Sequence, residues 1–220
     1  MYLIPNAVLK TGPTEEAVNL AVVKQFLRLD GTADDLALVV MVNAATSLVE
    51  QYISRKLINQ TWLIYLDDYP YTQSEAWWDG VREGAIGEMR KSYPFIELPF
   101  GPLRAVTSIN SIDESGNVVA FDAGAWQADL QTNRIGLRTG QTWPLVQLQP
   151  MGGVVIEVEL GFGSQTDIPK DIQQALLLIV SKLYENRGDE TQGEFFGTSG
   201  FTIPNTAQLL LLPYVGYRVG

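Results

Sequence analysis

Val49-Glu50-Gln51-Tyr52-Ile53-Ser54-Arg55-Lys56-Leu57-Ile58-Asn59-Gln60-Thr61-Trp62-Leu63-Ile64-Tyr65-Leu66 is the stretch where the chain changes its period. Up to Ser54 the apolar residues recur at intervals of three and four. Leu38, Met41, Val42, Ala45, Leu48, Val49 and Tyr52 fall on one helical stripe. From Ile58 the interval becomes two, and residues 61–66 read as a strand. A long helix that runs into strands, with helical spacing returning later, predicts an α+β fold.

Upstream, Thr32 reads as the cap of this helix, with Asp34 and Asp35 in its first turn near the positive end of the dipole. Residues 36–42 are apolar all round. A helix of that kind needs a second surface to cover it, either the β-part or a neighbouring copy. Leu36, Val39, Val40 and Val42 are therefore candidates for a subunit interface. An earlier helix is expected from a Thr14 cap, with Glu15 and Glu16 in its first turn, to a stop at Asp30-Gly31. Residues 1–13, with Pro5, Gly12 and Pro13, read as an irregular arm.

Downstream, residues 71–94 form a glycine-containing excursion that carries Trp77 and Trp78. Short strands follow at 95–98, 106–112, 118–121, 125–128 and 134–137, with a turn at 113–117. Residues 154–160 give the strongest strand signal. Helical spacing returns after Pro169, a residue suited to the first helical position. Its stripe is Ile172, Ala175, Leu176, Ile179, Val180 and Leu183, with Arg187 and Gly188 at the end. Residues 189–203 read as extended, and 207–212 as a short apolar segment before Pro213. The expected plan is a helical layer from residues 1–57 and 164–220, packed as one domain. An antiparallel β-module at 58–163 is inserted between its two parts.

Composition narrows the chemistry. The 220 residues contain no cysteine and no histidine. Thiolate nucleophiles, disulfides, Ser-His-Asp triads and histidine metal sites are excluded. The formal net charge of −10 argues against holding DNA by phosphate neutralisation, which needs clustered Lys and Arg. No signal peptide is read at the start, and the apolar runs 36–42 and 175–180 are too short to span a bilayer, so no membrane is expected.

Some residues invite a chemical reading. Asp67-Asp68 closes a strand, and Glu157 and Glu159 share one strand face. A turn and the wet face of a strand account for them better than a glycosidase pair does. Gly161-Phe162-Gly163 lacks the lysine and third glycine of a phosphate loop. Trp126 and Trp143 read as core. No catalytic, cofactor or metal residue is assigned.

The order of segments resembles the head–tail connector, or adaptor, family of long-tailed phages and gene-transfer particles. The similar stretches are Phe26-Leu27-Arg28-Leu29-Asp30, Asp34-Asp35, and Val49-Glu50-Gln51-Tyr52-Ile53-Ser54-Arg55. They continue with Leu57-Ile58-Asn59-Gln60-Thr61-Trp62 and Leu98-Pro99-Phe100-Gly101-Pro102-Leu103. Val106-Thr107-Ser108-Ile109, Trp143-Pro144, Gly161-Phe162-Gly163, Ile168-Pro169, Tyr184-Glu185-Asn186-Arg187 and Leu211-Leu212-Pro213-Tyr214 complete the set. The likeness spans roughly residues 20–215.

The resemblance implies a structural virion protein without catalysis, made in the host cytoplasm and sited in the neck. It implies a homo-oligomeric ring, usually twelvefold. The ring would bind the portal on one side and a head-closure, stopper or tail protein on the other, with double-stranded DNA in the lumen but not specifically bound. Partner contacts are expected at Trp77, Trp78, Phe195, Phe196, Phe201, Leu210, Leu212 and Tyr214. The C-terminal segment is expected to reach the portal. Two alternatives are another neck or tail component and a carbohydrate-binding module built on the tryptophans.

Overall fold

In the computed structural model, residues 6–70, 95–186 and 203–215 are described. Their elements are β1 (Asn6–Thr11), α1 (Leu20–Leu27), α2 (Asp35–Ile53), β2 (Gln60–Leu66), β3 (Phe95–Glu97) and β4 (Leu103–Ile112). β5 (Val118–Ala120), β6 (Trp126–Asp129), β7 (Arg134–Leu137), β8 (Val154–Leu160), α3 (Lys170–Glu185) and α4 (Asn205–Leu211) follow. This is an α+β fold with two antiparallel sheets. The chain divides into two compact units. One comprises Met1–Lys10 and Thr61–Glu159, the other Thr11–Gln60 and Leu160–Gly220.

The helical unit is organised around α3, which packs against α1, α2 and α4. Leu38, Val42, Ala45, Val49 and Ile53 of α2 meet Ile172, Ala175, Leu176, Ile179 and Val180 of α3, with Ala207 and Leu211 of α4. Each of these side chains is essentially inaccessible to water. Burying one of the larger ones stabilises the fold by about 1.5–3 kcal/mol.

α2 ends at Ser54, which takes a left-handed conformation. Glu50 then grips the departing chain. One of its carboxylate oxygens accepts the Leu57 amide at 2.9 Å and the Gln60 side-chain amide at 3.3 Å, and the other pairs with Lys56 at 3.0 Å. Gly161 lies against this segment with φ 130°, and a Cβ there would sit 2.4 Å from the Ile58 carbonyl oxygen. Glycine is required at that position.

α1 begins later than expected. Asn19, not Thr14, is the cap; its side chain accepts the Ala21 amide at 2.8 Å. Ala17 and Val18 are buried ahead of it. Glu15 caps a different element, accepting the amide of Gln165 at 2.8 Å where a 3-10 turn precedes α3.

In the β unit the five-stranded sheet runs β1-β2-β8-β4-β5 and the three-stranded sheet β3-β7-β6. The pairings β4–β5, β3–β7 and β6–β7 are antiparallel. The residues read as an irregular arm include an edge strand, β1. Its Lys10 reaches past β2 to Glu157 on β8, at 2.7 Å. β8 alternates buried Val154, Ile156, Val158 and Leu160 with half-buried partners, the period-two pattern of a sheet packed on one face. β4 starts three residues before its expected beginning, at Leu103, whose amide donates to the Asn133 side-chain oxygen at 2.8 Å.

α2 has 19 residues, and its length and composition would allow it to cross a bilayer, contrary to the reading from its apolar run alone. Its core stripe is instead packed within the helical unit.

Candidate assembly surfaces

α2 places the four candidate interface residues on different sides. At 100° per residue, Leu38, Val42, Ala45, Val49 and Ile53 form one stripe. Val42 belongs to it and is 1% exposed, so it is core and not interface. Leu36 and Val40, one turn apart, stand opposite that stripe and are 85% and 67% exposed. Val39 flanks them and is half-buried. The exposed side of α2 further along is polar, with Asn43, Ser47 and Gln51. On the side opposite the core, the exposed large apolar residues of α2 are therefore confined to its first two turns.

The other end of α2 meets α4 differently. Tyr52 was read as part of the buried stripe, but Ile53 takes the core position and Tyr52 is partly exposed. With Asn205, Gln208, Leu209 and Leu212 it lines a shallow groove of about 290 Å³. α4 turns Ala207 and Leu211 into the core and Leu209 outward, 71% exposed. Leu212 is exposed and Leu210 half-buried. Tyr214 donates its hydroxyl to Asp171 at 3.3 Å; burial and that carboxylate push its phenol up. Leu209 went unassigned at the sequence level. The one-turn spacing of Ala207 and Leu211 was the available signal, because it phases the helix. Trp77, Trp78, Phe195, Phe196 and Phe201 lie outside the described residues.

The β unit does not offer the aromatic platform that a carbohydrate reading would use among its described strand-flanking tryptophans. Trp143 is buried, stacked on Tyr69 with ring centroids 5.0 Å apart, and lies beside Phe121 at 5.8 Å. Tyr69 shares a 2.8 Å hydrogen bond with Ser111. Trp126 is also buried, and neither indole N–H has a partner. Among the described residues of this unit, Leu145 and Met151 are the large apolar side chains exposed most. Two of the carboxylates singled out above serve structural contacts. Asp67 accepts the Gly152 amide at 2.9 Å, and Glu157 holds Lys10.

Solved structures share this arrangement along the whole chain. A chain in the neck of an empty gene transfer agent particle, computed with C6 symmetry, superposes with a TM-score of 0.71. The match covers 97% of each chain at 22% identity. The fold is that of a particle-neck chain. A chain in the virion of a native gene transfer agent particle gives 0.70, at 23% identity over 97% of this chain and 96% of that one. A chain in the neck of the native particle, computed with C12 symmetry, gives 0.62 at 23% identity over 96% and 97%. No protein-family model and no curated protein matches the sequence.

Proposed function

We propose that this chain is a structural protein of a virion neck, a connector whose copies close into a ring between the portal and a head-closure, stopper or tail protein. The supporting observation is the whole-chain fold shared with neck chains of gene transfer agent particles, in structures computed with C6 and C12 symmetry. A fold alone does not carry function, so the surfaces matter. Leu36 and Val40 at one end of α2, and the groove at the other, give a single copy apolar area suited to neighbours. The ring is taken as twelvefold, with DNA passing through a lumen to which the acidic chain does not adhere. Leu210, Leu212 and Tyr214 are the described candidates for contact with the portal.

The test is cryo-electron microscopy of particles purified from cells that produce this chain, averaged about the particle axis at the head–tail junction. Density for a ring of this fold beneath the portal is expected. A chain missing from the particles, or built into the shell or tail tip, would defeat the proposal.

A further inference from the structure

We infer that neighbouring copies join head to tail through the two ends of α2, with Leu36 and Val40 of one copy seated in the Tyr52–Leu209–Leu212 groove of the next. This rests on the ring reading above. A cyclic ring larger than a dimer uses a heterologous interface, so each copy must carry two different and complementary patches. The helical unit has such a pair. Leu36 and Tyr52 are 16 residues apart on one helix, about 24 Å along its axis at 1.5 Å per residue. They also differ by roughly 160° in direction around it. One copy cannot bring its own two patches together, because α2 is a rigid rod between them.

The two patches match in chemistry as well. The first presents two branched aliphatic side chains one turn apart, both largely exposed. The second is an open groove lined by Tyr52, Leu209 and Leu212 together with the amides of Asn205 and Gln208. Gln208 uses its N–H to reach the Ile203 carbonyl at 2.9 Å, which leaves its oxygen available as an acceptor. The opposing edge supplies donors. The first amides of α2 lie at the helix start, where intrahelical acceptors are lacking. Apolar side chains meet an apolar lining, and helix-start N–H groups meet side-chain amide oxygens.

The chain has no cysteine, so introduced thiols report on the pairing without background. The experiment uses the full chain with Leu36→Cys and Leu209→Cys together, oxidised with glutathione disulfide and run on a denaturing non-reducing gel. The expected result is a ladder of covalent multimers up to the ring number. Either single variant gives dimers at most. Both residues are exposed, and unchanged circular dichroism and thermal midpoint confirm the fold of each variant. Native mass measurement of the unmodified chain accompanies the gel. Rings without a ladder would overturn this pairing and leave the ring reading standing. No rings under any condition, with portal added or not, would overturn the ring reading and the pairing with it. A covalent product that stays monomeric shows the groove filled by its own chain and also overturns the pairing.

Discussion

Gly161 carries more of the fold than its size suggests. Its φ of 130° is costly for any residue with a side chain, and a Cβ would press on the Ile58 carbonyl at 2.4 Å, with the Asn59 amide nitrogen at 2.9 Å. Backbone is what it would meet, and backbone cannot rotate away. Gly161→Ala is expected to cost about 2–4 kcal/mol, read as a lower urea midpoint at unchanged slope. Asp113 gives a pH-dependent counterpart at the β4–β5 turn. The Asn117 side chain, the Asn117 amide and then the Ser115 and Gly116 amides hold its carboxyl below the usual range. Its folded value lies below the unfolded one. The turn is therefore fully supported above the ordinary carboxylate pKa of about 4 and loosens as pH falls below it. Protection of the Ser115–Asn117 amides, corrected for the intrinsic pH dependence of exchange, is expected to fall as pH drops below about 4. Asn117→Ala raises the folded value toward the unfolded one and should shrink that loss, and a loss of unchanged size would refute this account.

At the scale of elements, α2 separates two roles that its sequence runs together. Leu38→Ala opens a cavity in the helical core and is expected to cost about 2–5 kcal/mol. Leu36→Ala, two residues away, should change stability by less than about 0.5 kcal/mol. Chemical denaturation of the two variants side by side checks this, and equal losses would mean that the exposed turns are not exposed in solution. The stripe itself was legible. Intervals of three and four brought Leu38, Val42, Ala45 and Val49 together, and alternation placed β8 at residues 154–160 to the residue. Two features were not legible because the partner is remote in the chain. Glu15 looked like a first-turn acid, but its acceptor role is fixed by Gln165, 150 residues on. β1 has too few residues to show a period and is defined by β2 beside it. The groove was hidden likewise, since Tyr52 and Leu209 come from opposite parts of the chain. Val42 was on the legible stripe, yet in an all-apolar run composition alone also allowed it an interface role. Removing residues 204–220 to test portal attachment would also remove core residues Ala207 and Leu211. Leu212→Ser is the cleaner variant, and weaker retention of portal on a pull-down is its expected outcome.

For the whole molecule, charge and connectivity set the behaviour. With a net charge of −10, the protein is expected to leave double-stranded DNA unshifted in a mobility assay at about 0.15 M salt, where only neutralised phosphates hold a ligand. A clear shift at that ionic strength would point to a basic lumen and against passive passage. Connectivity has a different effect. Each compact unit is assembled from two separated pieces of chain: Met1–Lys10 waits for Thr61–Glu159, and Thr11–Gln60 waits for Leu160–Gly220. Contacts this distant in sequence form slowly. On the ribosome, the α2 rod emerges more than a hundred residues before α3, the helix that covers its stripe. A nascent chain therefore has no finished helical unit to offer a neighbour, which in the proposed assembly would keep copies still being translated on one messenger from linking prematurely into partial circles.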